Sequence, residues 1–300
     1  MTTPAWIGAK QRFKQYLQLE RSLSLNSVEA YIADLDKFEL WSVSQGWSGP
    51  LDMDQQRIQK FPEWVADLGF QATSQARIIS GVRSFYKFLV MEDSLVESPA
   101  DFLEPPKTGR KLPVVLSEEE IDAMISAVDR STAEGERNVA MLETLYSCGL
   151  RVSELVGLRM TQVHATEGFV QVVGKGNKER LVPVGGRALK HIRMYVDQVR
   201  VHLNIQPGAR DIVFLSKRGG PVSRQSVFLL IKALALKAGV RKNISPHTFR
   251  HSFATHMLNN GANLLAIKDI LGHANLSATQ VYTKNSFEKL KQVHALHPRK

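Results

Sequence analysis

The sequence predicts a mainly α-helical protein of two domains, with one small β-sheet in the second domain. Apolar residues recur at helical spacing through most of the chain. Four prolines within residues 98–113 interrupt this pattern. The helical spacing is lost near residues 169–184, where two short runs rich in valine flank a glycine-rich segment, as in a β-hairpin. A chain of 300 residues is also longer than one compact core usually needs, which favours two domains.

The first hundred residues predict a bundle of four helices. Apolar spacing favours helices over about 6–22, 24–46, 55–68 and 74–92. The last helix is expected to face inward through Ile78, Ile79, Val82, Phe85, Phe88 and Leu89. Aromatic side chains also stack on nucleic-acid bases, but their helical spacing here favours a core. Residues 1–103 are therefore expected to form a small all-helical domain.

A proline-rich stretch is expected to join this domain to a second one. No helix or central strand tolerates so many prolines, so we predict a linker over residues 104–113. Its basic residues, Lys107, Arg110 and Lys111, suit a phosphate backbone or bulk solvent equally well. The second domain is then expected to span residues 114–300.

The second domain is predicted to place nine helices around a β-hairpin. The hairpin pairs residues 169–173 with 180–184 through a glycine-rich tip. Ser117 and Glu120 have the spacing of a helix capping box, and Gly149 is typical of a helix C-terminus. The nine helices are expected at about 117–129, 136–148, 153–158, 187–202, 223–238, 247–259, 263–271, 276–282 and 286–295.

Charge is distributed unevenly along the chain. There are 39 Lys and Arg against 29 Asp and Glu, a net charge of +10. Residues 1–106 hold 10 basic and 14 acidic side chains, or −4, which leaves 29 and 15, or +14, for residues 107–300. The second part is thus the better candidate for a polyanion such as DNA, although basic charge alone is shared by many other proteins.

Composition disfavours several classes of protein. No apolar run approaches the roughly 20 residues that cross a bilayer. The N-terminus lacks the apolar core of a secretory signal. Cys148 is the single cysteine, which excludes an internal disulfide and a zinc cluster built on cysteines. We therefore expect a cytoplasmic protein that does not associate with a membrane.

Residues 245–283 concentrate side chains that suit chemistry on a phosphate. Arg250 can donate a fork of N–H groups to phosphate oxygens, His247 and His273 can donate or move protons, and Tyr282 carries a nucleophilic hydroxyl. Each residue alone also has an ordinary structural interpretation. A lone tyrosine near a C-terminus is usually structural, and a histidine on a surface helix is usually a satisfied cap.

A zinc site in the same stretch is a weaker hypothesis. His247, His251 and His256 are close in sequence, but the metalloprotease motif requires Glu directly after its first histidine. Thr248 stands at that position. We therefore expect no bound metal.

Two segments further upstream carry compatible side chains. Arg151 follows a predicted helix end, and Glu154 lies three residues later, where it can orient the guanidinium or form a structural ion pair. A second arginine on one phosphate would offset the charge that grows in a phosphoryl-transfer transition state. Lys175 lies at the hairpin tip, where it is either a solvated turn residue or a lysine placed in a DNA groove. Its segment, GKGNK, does not match a nucleotide P-loop.

Taken together, these motifs resemble the tyrosine site-specific recombinase family, and within it the Xer recombinases of bacteria. The similar segments are GLRVSEL, GKGNKER, SPHTFRHSFATH and ILGHANLSATQVYT, and the resemblance covers essentially the whole chain. It implies a SAM-like core-binding domain at 1–103. At 114–300 it implies a mostly helical catalytic domain of the DNA breaking-rejoining enzyme fold, ending in a helix that docks on a neighbouring protomer. Lys284 departs from the histidine usual in Xer proteins.

The resemblance also implies a role for each residue. Tyr282 would attack the scissile phosphate and form a 3′-phosphotyrosyl link with release of a 5′-hydroxyl. Arg151 and Arg250 would hold the non-bridging oxygens, and Glu154 would support Arg151.

Proton transfer and charge stabilisation would fall to three further residues. His247 would assist proton transfer with the tyrosine, Lys175 would protonate the leaving 5′-oxygen, and His273 would stabilise the transition state. The resemblance implies no ATP, metal or other cofactor.

The implied partners are a double-stranded DNA recombination site, a second Xer recombinase in a tetrameric synapse, and a septal DNA translocase. The implied process is resolution of chromosome dimers at cell division. Alternatives are a phage or mobile-element integrase, a type IB topoisomerase, and a DNA-binding protein on this fold without recombinase activity. Helix signals from residue 6 onward favour the recombinase over an integrase with an added arm-binding domain.

Overall fold

Helices dominate the protein, and the predicted mainly α class with a small sheet is confirmed. The computed structural model describes residues 3–107, 109, 113–174, 179–272 and 284–299. The chain divides into two compact units, Met1–Lys111 and Leu112–Lys300. Three of the predicted site residues, Lys175, His273 and Tyr282, lie outside the described residues, as do the hairpin tip and the helix expected at 276–282.

The first unit is all-helical in its described part. Ser24 caps its second helix by accepting a hydrogen bond from the Ser27 N–H. The single helix expected over 55–68 is wrong, because two short helices occupy that segment. Pro62 is the second residue of the second short helix, where a backbone N–H would have no partner within the helix. In a continuous helix, a proline at this point would remove a backbone hydrogen bond. The helices are α1 (Pro4–Leu19), α2 (Leu25–Ser44), α3 (Gln55–Ile58), α4 (Phe61–Asp67) and α5 (Ala72–Met91).

Aromatic rings form the core of the first unit. Phe38 is fully buried and meets Trp6 and Phe61 edge to face, with ring centroids 5.6 and 4.8 Å apart. The six residues of α5 that were predicted to face inward are all buried, which confirms that expectation. Most aromatic rings of the first unit are therefore core side chains, as their helical spacing predicts.

The second unit holds eight described helices and a three-stranded antiparallel sheet in the order β1-β2-β3. The predicted hairpin is β2 and β3, in a register that pairs Val172 with Arg180. The short strand β1 was not predicted, since two residues give no measurable alternation. The strands are β1 (Val163–His164), β2 (Phe169–Val173) and β3 (Glu179–Pro183). The helices are α6 (Glu118–Ser126), α7 (Ala133–Cys148), α8 (Val152–Val156), α9 (Gly186–Gln198), α10 (Arg224–Lys237), α11 (Pro246–Asn259), α12 (Leu264–Leu271) and α13 (Lys284–His294).

Helix α7 lies at the centre of this unit and is buried along most of its length. It ends at Gly149, whose φ of 57° is left-handed, as expected of a C-terminal glycine. A side chain there is also sterically excluded, because a Cβ would lie 2.6 Å from Cδ1 of Phe253 on α11. Close packing of α7 on α11 therefore fixes the position of Gly149. It also fixes where the chain emerges from the core two residues later, at Arg151.

The C-terminal tail packs on the unit to which it belongs. His294 donates from Nε2 to the Ser147 carbonyl over 2.8 Å. The His297 ring stacks on Phe253, with centroids 5.2 Å apart. The Arg299 guanidinium is buried and pairs with Glu143. Within this chain, the last residues thus cover the buried faces of α7 and α11.

His297 is expected to make an acid-sensitive contribution to the stability of the second unit, because its side chain is buried without a proton. Burial lowers the pKa of His297 to about 3, and His294 and His256 nearby lower it further. In the unfolded chain this histidine takes up a proton with a pKa of about 6.5. Its contribution to the free energy of unfolding is therefore complete above about pH 6.5 and is lost as the pH falls toward the pKa of the folded protein. Between pH 7 and pH 5 the loss from this histidine alone is about 2 kcal/mol, measurable by urea unfolding as the difference between the wild type and a variant without the imidazole.

Two variants separate this histidine from the others. His297→Phe keeps a ring against Phe253 and removes the titrating group, so its stability should change less between the two pH values. His202 is exposed, so His202→Asn should keep the wild-type pH dependence. An unchanged pH dependence in His297→Phe would assign the acid sensitivity to other groups.

Candidate active site at two helix ends

Arg250 is held at the point where two helices end. Its own helix, α11, begins with Pro246, and the Thr248 Oγ1 accepts a hydrogen bond from the Ser245 N–H over 3.0 Å. One η-nitrogen of Arg250 donates to the Gly149 carbonyl at the end of α7 over 2.7 Å, and the other donates to the Leu271 carbonyl at the end of α12. Helix C-termini leave carbonyls without partners and carry partial negative charge, so a guanidinium is well suited to both.

Arg250 keeps its charge despite burial. Burial lowers its pKa to about 10, with Arg151 and Arg180 lowering it further and Glu154 opposing them. The guanidinium is therefore protonated at neutral pH. Its contacts with the two carbonyls use two of the five N–H donors of an arginine.

Arg151 lies beside it and is fixed by Glu154. It is the N-cap residue of α8, and its backbone N–H donates to Oε2 of Glu154 over 2.8 Å. One η-nitrogen donates to Oε1 of Glu154 over 2.8 Å, and the other donates to the Gly272 carbonyl over 3.1 Å. The side chain is 35% exposed, so this guanidinium is anchored at its base and open to solvent at its edge.

A third arginine, which the sequence analysis did not single out, completes the group. Arg180 on β3 is 6% exposed and donates to both carboxylate oxygens of Glu154, each over 2.8 Å. Its Nε donates to the Ile270 carbonyl over 2.9 Å. A sequence signal existed, because Arg180 falls on the same buried face of the strand as Val182. A charged residue at such a position requires a buried partner.

Three successive carbonyls at the end of α12 each hold one arginine. Ile270 accepts from Arg180, Leu271 from Arg250, and Gly272 from Arg151. Gly272 ends the helix with a left-handed φ of 65°. His273 follows directly in the chain and lies outside the described residues.

His247 shares a cleft with Arg250. The two residues are three apart on α11, and His247 is exposed. The described residues lining the cleft are Pro113, Val114, His247, Thr248, Arg250, His251, Ala254 and Leu271. The structure thus brings together His247, Arg250, Arg151 and Glu154 of the predicted set.

The zinc hypothesis finds no support in the described part of the chain. His256 points away from the cleft into the core, where its Nδ1 is 2.6 Å from the Tyr146 hydroxyl. No group of three or more His, Cys, Asp or Glu side chains within the described ranges is placed to hold a metal ion. In the same residues, no helix is long and apolar enough to cross a membrane.

The arrangement is suited to binding an anion. The site holds three guanidinium groups and one carboxylate: Arg151 and Arg180 donate to Glu154, and Arg250 donates to carbonyls at the same two helix ends. Burial alone would raise the pKa of Glu154, but hydrogen bonds from Arg180 and from Arg151 outweigh it and lower the pKa, so the carboxylate is charged. Two positive charges remain in excess, and guanidinium groups match the geometry of phosphate oxygens.

Comparison with known proteins shows the family of the chain. Residues 114–289 match the phage integrase family, and residues 11–93 match the phage integrase N-terminal SAM-like domain. The chain is 41% identical over 298 residues to tyrosine recombinase XerD of Chlorobaculum tepidum, covering 98% of this chain and 97% of that protein. It is 38% identical over 290 residues to tyrosine recombinase XerD of Staphylococcus aureus, covering 96% and 98%.

Among solved structures, the fold matches the XerH site-specific recombinase bound to palindromic difH substrate in a post-cleavage complex. The TM-score is 0.70 at 18% identity, covering 95% of this chain and 84% of that chain. The chain belongs to the phage integrase family of tyrosine recombinases. Within that family it is XerD-like along nearly its whole length, which confirms the resemblance to Xer recombinases seen in its motifs.

Proposed function

We propose that this tyrosine recombinase cuts and rejoins DNA at a specific site through a 3′-phosphotyrosyl intermediate formed by Tyr282. The observation that carries the proposal is the pair of anchored arginines, Arg151 and Arg250, at the ends of α7 and α12. Because backbone carbonyls and Glu154 fix both side chains before DNA binds, little reorganisation is needed to stabilise the charge that grows on the scissile phosphate. Such preorganised donors are the main source of catalysis in phosphoryl transfer.

The remaining roles complete a metal-free transesterification. His247 borders the cleft of Arg250 and would take the proton of the attacking hydroxyl. Lys175 would protonate the leaving 5′-oxygen, and His273 would donate to the phosphate in the transition state. The phosphotyrosyl bond retains the energy of the broken phosphodiester, so a 5′-hydroxyl can reseal it without ATP.

The two domains divide this work. Residues 1–103 would form the core-binding domain, residues 104–113 the linker, and residues 114–300 the catalytic domain that holds the site above. The strong excess of positive charge after residue 106 supports a DNA-binding role for the catalytic domain. The last helix, whose His294 side chain packs on its own unit in this structure, would dock on a neighbouring protomer when protomers assemble.

The biological process would be resolution of chromosome dimers in the cytoplasm at cell division. The two relatives named XerD align with this chain over almost their full length, which supports this assignment. The chain would act with a second Xer recombinase in a tetrameric synapse on a double-stranded recombination site, with a septal DNA translocase as activator. A mobile-element integrase would use the same chemistry on a different site. A DNA-binding protein without activity would form no covalent adduct.

Covalent capture from genomic DNA tests this proposal. The full-length protein is incubated with sheared genomic DNA from its own organism, denatured, and the DNA attached to protein is sequenced. We expect one short sequence to dominate, and a nicked duplex carrying it to trap the protein on its 3′-phosphate. A scatter of unrelated sequences would indicate a topoisomerase, a site at the border of a mobile element would indicate an integrase, and no adduct would contradict the proposed chemistry.

A further inference from the structure

We infer that Arg180 is a positioning residue for strand cleavage, which holds the Arg151 guanidinium and the end of α12 in their working places. This inference rests on the proposed function, and it concerns a side chain that does not itself reach the phosphate. Arg180 ties together three elements of the site: strand β3, the carboxylate of Glu154 on α8, and the end of α12 at Ile270.

Stability alone does not explain a buried ion pair at this position. Removing Arg180 and Glu154 from water is costly, and well-packed apolar residues in place of such pairs are often as stable or more stable. The strand already presents Val182 on the same face. What the pair adds is a fixed geometry, because both partners have planar, two-pronged groups that meet through two parallel hydrogen bonds.

The carboxylate of Glu154 transmits this geometry to Arg151. Its Oε1 accepts from η-nitrogens of both Arg151 and Arg180, and its Oε2 accepts from the Arg151 backbone N–H and from Arg180. Four hydrogen bonds thus hold one carboxylate, and Arg180 supplies two of them. Without Arg180 the carboxylate can rotate about its last bonds, and the Arg151 guanidinium can rotate with it.

The second connection runs to the residue before His273. The Arg180 side chain packs closely against Gly272, where a Cβ would be 2.9 Å from Cδ and 3.1 Å from Nε of Arg180. Its Nε holds the Ile270 carbonyl, so the last turn of α12 and its left-handed end have one position relative to β3. The same side chain therefore sets both the position of the Arg151 guanidinium and the position of the backbone at Gly272.

The test compares Arg180→Met with a matched control, Arg200→Met, in the full-length protein. Arg200 is also a buried arginine of the second unit, and it donates to the Ile212 carbonyl over 2.9 Å without contact to the site. The probe is the nicked duplex obtained by genomic capture. We expect Arg180→Met to bind it with nearly unchanged affinity and to form the covalent adduct about 100-fold more slowly at saturating DNA, as a displacement of about 1 Å at a reacting centre does.

Arg200→Met should lose thermal stability to a similar extent and cleave at the wild-type rate. A wild-type cleavage rate in folded Arg180→Met would overturn the inference, and equal slowing in both variants would assign Arg180 a purely structural role. Arg180→Lys retains the charge but not the fork, and it decides the matter if Arg180→Met does not fold. We expect it to cleave slowly as well, and a wild-type rate would count against the inference.

A double-mutant cycle provides a second readout. Glu154→Gln and Arg180→Met should slow cleavage by less in combination than the product of their single effects, because both act through one carboxylate. Independent effects would contradict a shared path to Arg151. If the wild-type protein forms no adduct on any DNA, the proposed function itself fails. If the wild type forms the adduct and the Arg180 variants form it equally fast, only the inference about Arg180 fails.

Discussion

Replacing Tyr282 by phenylalanine is expected to abolish the covalent protein–DNA adduct while leaving affinity for the site within about twofold of wild type. The change removes one oxygen, the proposed nucleophile, and keeps the ring. A phenol has an ordinary pKa of about 10, so its attack requires cationic surroundings, which we propose that Arg151 and Arg250 provide. No adduct can form without the hydroxyl, whereas the arginines can still bind the phosphate.

The measurement is a gel assay for the protein–DNA adduct on the nicked duplex, with affinity measured in parallel by fluorescence anisotropy. Tyr31→Phe is a suitable control, since this ring packs on Phe13 in the first unit and the change again removes a single hydroxyl. It should give wild-type adduct. Persistent adduct in Tyr282→Phe would show that another side chain is the nucleophile, and peptide mapping of the adduct would then identify it.

Local signals were sufficient to predict most elements of the fold. Ser117 with Glu120, and Gly149 after Cys148, mark a helix start and a helix end by chemistry that acts within a few residues, and both predictions are confirmed. The helix predicted through Pro62 is wrong although the proline was visible. Helical spacing continues across the break, and a proline is tolerated in the first turn of a new helix.

The site was predictable only where its contacts are local. Glu154 lies three residues after Arg151, so their contact follows from helix geometry. The partners of Arg250 are carbonyls 101 and 21 residues away in the chain, and no periodicity in the sequence records which helix ends meet there. Motif resemblance identified the residue, and the structure gives the physical reason why an arginine is held at that point.

The position of Arg180 in its strand carries a sequence signal for a buried ion pair. Arg180 lies on the same face of β3 as the buried Val182, and Val184, two residues further along the chain, is buried as well. A charged side chain in that pattern indicates a buried ion pair. Its partner, Glu154, lies 26 residues earlier and had already been assigned to Arg151. A carboxylate has two oxygens and can accept hydrogen bonds from two guanidinium groups. Only the fold shows that Glu154 accepts from both Arg151 and Arg180.

Replacing Arg250 by methionine is expected to slow strand cleavage about 1,000-fold, because it removes a preorganised donor from the charge that develops on the phosphate. The effect should fall on the cleavage rate at saturating DNA more than on affinity, since many other phosphate contacts contribute to binding. The variant should also be less stable by about 1–3 kcal/mol, because it leaves the buried carbonyls of Gly149 and Leu271 without their donor. Stopped-flow or quench kinetics on the nicked duplex, together with urea unfolding, measure both losses.

Arg137→Met separates these two losses. Arg137 is a partly buried arginine of α7 that donates to the Leu215 carbonyl over 3.0 Å, with burial lowering its pKa as it does for Arg250. Its replacement should reduce stability and leave cleavage by the folded protein unchanged. Arg250→Lys restores a charge that can reach one carbonyl or the phosphate but not both, so it should recover stability more than rate. Recovery of the full cleavage rate by lysine would mean that charge alone, and not the fixed fork at the two helix ends, accounts for the contribution of Arg250.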